Sequence, residues 1–297
     1  MADVTLLDGS IGQELVKRSG DRPTPLWSTR VMIDKPDLLT EVHAAYFRSG
    51  ATIATTNTYA IHRSRLVRAG IEDQMPLLVD TALSRAERAQ RSASGRIAGA
   101  LGPLLASYRP DLNPDPDDAA RQFAELAKMM ADRVDLFLIE TVSSILEAEG
   151  ALRGTVNSGK PVWLALSVLD EDGTRLRSGE ALEDIAPLVA RFAPQAVLIN
   201  CARPEAIPAA LEVIEKLGCP FGAYANGFTG ITDDFLQDAP TVDALESRHD
   251  LGPDAYAQHA MGWVAQGATI VGGCCEVGPD HIKALADSLR SAGHTIV

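Results

Sequence analysis

The feature that most constrains the fold of this 297-residue chain is a repeated alternation of short apolar runs with longer amphipathic stretches. The apolar runs are rich in β-branched residues and lie at residues 4–7, 52–56, 96–101, 136–140, 162–167, 196–200, 221–224 and 269–271. The amphipathic stretches cover residues 36–49, 71–91, 115–133, 143–157, 180–191, 204–217, 252–266 and 279–292. Short continuous apolar runs are typical of parallel strands buried on both faces, and the longer stretches predict helices that cover them.

Eight strand–helix units in a chain of this length predict an α/β protein whose fold is a single (β/α)8 TIM barrel. No low-complexity linker interrupts the alternation, so we expect one domain over residues 1–297. A glycine-rich dinucleotide fingerprint is missing after the first run, which disfavours an open nucleotide-binding sheet. Two long connections, at residues 20–35 and 225–251, are predicted to be loops.

The charge balance excludes some classes of partner. The chain has 27 basic and 40 acidic residues, a net charge of −13, which disfavours binding to nucleic acid or to an anionic membrane. An acidic field is compatible with a cationic small-molecule substrate. No targeting segment begins the sequence and no apolar run reaches about 18 residues, so we expect a protein of the reducing cytoplasm.

Polar and sulfur-containing side chains are concentrated directly after the predicted strands. In a (β/α)8 barrel the catalytic residues come from the carboxyl ends of several strands, which meet at one rim. The candidate residues at this rim are Asp8, Asn57, Thr58, Tyr59, Glu140, Thr141, Cys201, Asn226, Cys274 and Cys275. Trp27, in the first long loop, is a further candidate for substrate contact.

Three of the four cysteines fall at this rim, and their positions favour a zinc site. Cys201 follows the sixth strand, and Cys274 and Cys275 follow the eighth; side chains of alternate strands share a layer, so the three can converge. Two glycines before Cys274 give the backbone freedom to aim both adjacent thiols at one ion. Three thiolates suit Zn²⁺ and leave a catalytic open position, with a disulfide as the alternative. Cys219, at the opposite end of the barrel, is predicted to be a core residue.

Several motifs resemble the homocysteine S-methyltransferase family, in order and over essentially the whole chain. They are LLDGSIG near the N-terminus, TNTY at 56–59, IETVSSILEA at 139–148, NC at 200–201 and GGCCEVGPDHI near the C-terminus. The segments PLWS at 25–28 and DGTRLRSGE at 172–180 resemble the branch of the family that uses S-methylmethionine. Ser10 departs from the Asp-Gly-Gly opening that is usual in the family.

The resemblance implies a (β/α)8 barrel and a zinc-dependent methyl transfer. Zn²⁺ held by Cys201, Cys274 and Cys275 would bind and deprotonate the thiol of homocysteine. The thiolate would attack the methyl group of a cationic donor, S-methylmethionine or a related sulfonium, and yield methionine. Glycine betaine or another onium compound is the alternative donor.

The resemblance also gives roles to individual side chains. Glu140 is implied to bind the ammonium group of homocysteine, with an ion pair to a nearby arginine as the alternative. Asp8 is expected to contact the amino acid or the zinc site, or instead to cap the helix that starts near residue 11. Trp27 is expected either to hold the donor cation against its indole face or to pin its loop onto the barrel. Asn226 is expected to orient a substrate carboxylate or a thiolate of the zinc site, or instead to form a turn. The remaining candidates either bind substrate or form ordinary turns: Asn57, Thr58, Tyr59 and Thr141.

Three other functions agree less well with the residues at this rim. Gly272 and Gly273 occupy a place where barrels often bind phosphate, but two cysteines follow them and the chain is acidic. None of the six lysines directly follows a predicted strand, which disfavours Schiff-base chemistry. A non-catalytic zinc store or redox sensor would explain the thiols but not the polar residues around them.

Overall fold

The computed structural model describes residues 2–22, 24, 26–237, 241 and 244–297. These residues form an α/β fold around one parallel sheet with the strand order β2-β3-β4-β5-β6-β7-β8-β1-β9. The strands are β1 (Asp3–Leu6), β2 (Ile53–Thr55), β3 (Arg96–Leu101), β4 (Leu136–Val142), β5 (Val162–Leu166), β6 (Ala196–Asn200), β7 (Phe221–Tyr224), β8 (Ile270–Val271) and β9 (Thr295–Ile296). All eight predicted strands are present within two residues of their predicted ends.

The helices alternate with the strands as predicted, with additions in the first third of the chain. They are α1 (Ile11–Ser19), α2 (Trp27–Asp34), α3 (Pro36–Ser49), α4 (Arg63–Leu66), α5 (Met75–Gln90), α6 (Pro116–Met130), α7 (Ile145–Thr155), α8 (Ala186–Phe192), α9 (Ile207–Ile214), α10 (Pro253–Ala265) and α11 (Pro279–Ser291). The connection at 20–35 is not wholly a loop, because α2 lies within it. The helix predicted from residue 180 begins only at Ala186, after a 3-10 turn at Leu182–Ile185.

The sheet curls so that β1 and β2, which are not neighbours in the strand order, also lie side by side. β1 pairs in parallel with β8 on one side. On the other side, the Thr52 backbone N–H donates to the Leu6 carbonyl over 2.8 Å, and the Asp8 N–H donates to the Ile53 carbonyl over 3.2 Å. The carboxyl ends of β1 and β2 are therefore neighbours, and the polar residues that follow them face a common region.

Both faces of the sheet are buried, as the apolar runs predict. Alternate strand residues such as Leu136, Leu138 and Leu198 pack into one small cluster with side chains from the other strands. Their neighbours along the strands, such as Phe137 and Ile139, belong to a larger cluster with the helices. Side chains on a strand alternate between its two faces, so one sheet serves two cores. In the described part of the chain no helix is long and apolar enough to cross a membrane.

Candidate active site

The three rim cysteines converge on one point at the carboxyl end of the sheet. The Sγ atoms of Cys201, Cys274 and Cys275 all lie within 4.8 Å of one another. The Cys201 sulfur is 2.8 Å from that of Cys274 and 3.7 Å from that of Cys275, and all three thiols are free. Two sulfurs on a tetrahedral zinc with bonds of about 2.3 Å lie about 3.8 Å apart. The Cys201–Cys275 distance fits zinc as it stands, and the Cys201–Cys274 distance needs to lengthen by about 1 Å.

The backbone around the thiols is fixed by close packing and by unusual conformations. Gly272 and Gly273 have no positive φ; instead a Cβ atom on Gly273 would lie 2.1 Å from a methyl carbon of Val277. The two glycines are therefore needed for space rather than for the conformational freedom expected from the sequence. Cys201 itself has a φ of 51°, in the left-handed region that is costly for a residue with a side chain.

Three side chains hold Cys201 in this conformation through its carbonyl oxygen. Asn226 Nδ2 donates to that oxygen over 3.0 Å, and an Arg177 guanidinium nitrogen and Ser167 Oγ donate over 3.3 and 3.4 Å. Arg177 is itself fixed by a buried ion pair with Asp170, with a shortest N···O distance of 3.0 Å. The position of the Cys201 sulfur thus depends on this buried hydrogen-bond network around its carbonyl group.

The electrostatics of the cluster favour one negative charge shared by the thiols. Burial opposes ionisation of Cys201, but its hydrogen bonds with Cys274, Cys275 and Tyr108 together hold the pKa of its thiol well below the usual range. The Tyr108 hydroxyl donates to the Cys201 sulfur over 2.9 Å. The same hydrogen bonds with Cys201 are the largest cause that raises the pKa values of Cys274 and Cys275. Burial and charge repulsion raise these pKa values further. A divalent cation would replace these protons and neutralise the excess charge.

Two carboxyl groups lie beside the thiols in a buried environment that favours their neutral forms. Asp8 is 2% exposed, and its two oxygens accept hydrogen bonds from the backbone N–H (2.7 Å) and hydroxyl (2.9 Å) of Thr55. Burial raises the pKa of Asp8 well above its usual range, and the nearby charge of Glu140 raises it further. Burial likewise raises the pKa of Glu140 to about 8, although Tyr224 donates to it over 3.0 Å.

Both alternatives considered for these carboxylates are wrong in the structure. Ser10, rather than Asp8, caps α1, because its hydroxyl accepts the Gln13 N–H over 3.3 Å. The unusual residue of the opening motif therefore has a local structural role. Among the described residues no arginine forms an ion pair with Glu140. An ammonium group between the two carboxylates would relieve their mutual repulsion.

Most of the predicted site residues line one cavity of about 540 Å³ above the cysteines. Those in its walls are Asp8, Trp27, Asn57, Tyr59, Glu140, Thr141, Cys201, Cys274 and Cys275. The loop after β7 also contributes, through Phe228, Phe235 and Gln237. Asp238, which the sequence also places in this loop, and Pro25 of the PLWS segment lie outside the described residues.

Trp27 and Tyr59 form an aromatic corner of this cavity. Their ring centroids are 6.3 Å apart at 76°, an edge-to-face arrangement. The indole N–H of Trp27 donates to Gln13 Oε1 over 2.8 Å, and the indole covers Gly12 so closely that a Cβ there would lie 2.3 Å from it. Trp27 thus packs its segment against α1 and also faces the cavity, so the two roles expected for it are compatible.

Two predicted residues, Thr58 and Asn226, are not among those that line the cavity. Thr58 is fully buried, and its hydroxyl donates to the Ala100 carbonyl over 2.7 Å. Asn226 uses its amide to hold the Cys201 carbonyl and the Phe228 N–H. For Asn226 the contact with Cys201 agrees with the other role expected for it, beside a thiolate of the site. Thr141 does face the cavity, but its N–H and hydroxyl are bonded to the side chain of Asn200.

Sequence reasoning missed the residues that support the site from the loops. Tyr108 and Arg65 line the cavity, and Tyr224 ends β7 against Glu140. Tyr108 lies in the connection between β3 and α6, where no hydrophobic spacing marks it. Arg65 lies on a helix of four residues, too short to be recognised from hydrophobic spacing.

Cys219 differs from the other three thiols in place and environment. It precedes β7 at the opposite end of the sheet and lines a separate surface cavity of about 420 Å³ together with Lys216 and Ala193. The side chain packs against the core but is only partly buried, so the prediction of a core residue is correct in location and overstated in burial. Its separation from the cluster leaves it outside the candidate metal site.

Comparison with known proteins agrees with this geometry. The sequence profile of the homocysteine S-methyltransferase family matches residues 5–289. A homocysteine S-methyltransferase of Escherichia coli (strain K12) is 27% identical over 95% of this chain and 94% of its own length, and homocysteine S-methyltransferase 4 of Zea mays is 25% identical over 97% and 90%. The crystal structure of the Escherichia coli homocysteine methyltransferase MmuM in its metallated form superposes with a TM-score of 0.81 at 26% identity, covering 96% of each chain. The profile match spans nearly the whole sequence, and this protein belongs to the homocysteine S-methyltransferase family.

Proposed function

We propose that this protein transfers a methyl group from a cationic sulfonium to the thiol of L-homocysteine and forms methionine. The observation that carries the proposal is the cluster of three thiols within 4.8 Å at the base of a cavity that also contains Asp8 and Glu140. A soft metal site, two carboxylates and an aromatic corner match a thiol amino acid and an onium donor. S-methylmethionine is the preferred donor, and glycine betaine is the runner-up.

Cys201, Cys274 and Cys275 would hold the metal, which we propose to be Zn²⁺. Three thiolate ligands and one open position are the donor set of a catalytic zinc site. When bound, zinc supplies the Lewis acidity that keeps the thiol of homocysteine ionised at neutral pH. Tyr108 would stabilise the charge on Cys201 through the hydrogen bond that it already donates.

The remaining residues would bind and align the two substrates. Asp8 and Glu140 receive the ammonium group of homocysteine, which favours their ionised forms. The homocysteine sulfur then attacks the donor's methyl carbon while the bond between that carbon and the sulfonium breaks, leaving its electron pair on the departing thioether. Trp27 and Tyr59 offer aromatic faces to the cation before transfer. The contribution of the chain is therefore proximity and orientation of the two substrates.

Three further expectations belong to the same proposal. The curled sheet is supported as a closed (β/α)8 barrel by the hydrogen bonds between β1 and β2. One domain over residues 1–297 is supported by the single continuous sheet order. A reducing compartment such as the cytoplasm suits a site made of three free thiols.

A donor panel tests the proposal. The purified protein, loaded with zinc and assayed for methionine, should convert homocysteine with S-methylmethionine faster than with glycine betaine. Zinc is quantified in parallel, and one ion per chain is expected. A zinc-loaded protein that transfers no methyl group from any sulfonium or betaine would point instead to metal storage or thiol sensing.

A further inference from the structure

Arg65 is a cation in the cavity wall whose hydrogen bonds, among the described residues, go to neutral groups, although the charge of Glu147 also acts on it. It lies on α4 and is half-buried. Its Nε donates to the Pro103 carbonyl over 2.8 Å, one terminal nitrogen lies 3.5 Å from Ser107 Oγ, and its guanidinium carbon is 5.5 Å from the ring centre of Tyr59. Over the ranges that the structure describes, no carboxylate forms an ion pair with it. Its helix neighbour Arg63, by contrast, pairs with Glu125 at 2.6 Å.

The position of Arg65 connects it to the thiol cluster through one loop. The Ser107 hydroxyl, which lies within hydrogen-bond distance of Arg65, also forms a hydrogen bond of 2.7 Å with the Tyr59 hydroxyl. The next residue, Tyr108, donates to the Cys201 sulfur. Arg65 thus lies on the same wall as the aromatic corner, whereas Asp8 and Glu140 lie beside the thiols at the base. The cavity therefore has two carboxyl groups beside the thiols, and three arginines elsewhere in its lining: Arg65, Arg68 and Arg109.

Burial of a guanidinium is costly and lowers the pKa of Arg65, and the charge of Glu147, which forms no ion pair with it, only opposes this effect. A planar guanidinium suits a carboxylate, which it can bind through two parallel hydrogen bonds. The cost of burying Arg65 would be offset when a ligand brings such a group. Because Arg65 lines the cavity, a carboxylate that arrives with a substrate could be this group.

We propose that Arg65 binds a carboxylate of the methyl donor, so that the site selects onium donors that also carry an acidic group. This inference rests on the proposed methyl transfer and specifies its substrate class as zwitterionic onium carboxylates. Homocysteine is the less suitable partner, because its ammonium and thiol are already placed at the base by Asp8, Glu140 and the cysteines. Tyr59 contacts both Arg65 and Trp27, which puts an anion site next to the aromatic surface for the onium group.

The test compares two donors that differ only at the carboxyl group, which is a charged carboxylate in one and a neutral methyl ester in the other. S-methylmethionine and its methyl ester are titrated into the zinc-loaded protein by calorimetry, and both are assayed with homocysteine. In the unchanged protein the ester should bind about ten- to a hundredfold more weakly. Arg65→Gln should weaken the binding of S-methylmethionine by the same factor. It should leave the binding of the ester and the KM for homocysteine unchanged. Arg65→Lys should keep part of the difference in affinity between the acid and the ester, because a positive charge remains at this position.

Arg63→Gln is the matched control, because it removes the same charge from the same helix on the side that faces Glu125. This variant should bind S-methylmethionine and its methyl ester as tightly as the unchanged protein does. Equal binding of the acid and the ester by the unchanged protein would overturn the inference, as would a rise in the KM for homocysteine alone in Arg65→Gln. Binding that depends on Arg65 without any methionine formation would support the carboxylate site and refute the proposed methyl transfer.

Discussion

The sulfur of Cys274 lies 2.8 Å from that of Cys201, so each thiol of the cluster depends on its neighbours. We expect Cys274→Ala to lower zinc affinity by more than about a hundredfold, because two thiolates and no third ligand cannot hold a catalytic zinc site. Methyl transfer should disappear with the metal. The measurement is zinc per chain after dialysis against a weak chelator, together with methionine formation.

Cys219→Ala is the control for this prediction. It also removes one thiol, but at the opposite end of the sheet, so zinc content and activity should match those of the unchanged protein. Stoichiometric zinc in Cys274→Ala would remove that residue from the ligand set and require another donor near Cys201.

Single residues at strand ends were predictable, and residues whose position depends on loop conformation were not. Cys201, Cys274 and Glu140 were found because a barrel aligns the ends of its strands, so sequence position alone gives spatial position. Tyr108 and Arg65 reach the same cavity from connecting segments, whose path depends on tertiary contacts that no periodicity encodes. For Asn226 the sequence suggested a role beside a thiolate, but not that its amide donates to the Cys201 carbonyl.

At the scale of elements, α2 was missed although it carries Trp27. The helix has eight residues, and it is anchored by Val31 and Met32, which are buried, rather than by a long apolar stripe. Helices this short have little stability of their own, so packing decides whether they form. The strands, by contrast, were predicted closely because full burial on both faces requires continuous apolar runs.

The placement of Trp27 at the start of α2 leads to a second prediction. Trp27→Ala should raise the KM for the sulfonium donor by about five- to thirtyfold and that for homocysteine much less, because a desolvated cation–π contact contributes about 1–2 kcal/mol. Steady-state kinetics with each substrate varied in turn provides the measurement.

Trp27→Phe separates binding from packing. It keeps an aromatic face but loses the hydrogen bond to Gln13, so it should retain most of the donor affinity while lowering the melting temperature slightly. Equal losses of affinity for donor and acceptor in Trp27→Ala would leave this residue with only its packing role.

At the scale of the whole molecule, two buried histidines link folding to pH. His43 and His62 are almost fully buried, and burial lowers both pKa values to about 3, with Arg65 also lowering that of His62. Both rings are neutral in the folded protein and become charged only after unfolding below about pH 6.5. The stability that they contribute is fully present above that pH and is lost as the pH falls toward 3.

The third prediction follows from the size of this linkage. Between about pH 6 and 4, each buried histidine should reduce the free energy of unfolding by about 1.4 kcal/mol per pH unit of acidification. The ring nitrogens of His43 have no hydrogen-bond partner in the described parts of the chain, so His43→Leu exchanges a neutral ring for an apolar side chain. Urea unfolding over this pH range should therefore show a slope that is smaller by about 1.4 kcal/mol per pH unit in the variant. The same change at the exposed His249 should leave the slope as it is, and an unchanged slope in His43→Leu would mean that acid destabilises the fold through other groups.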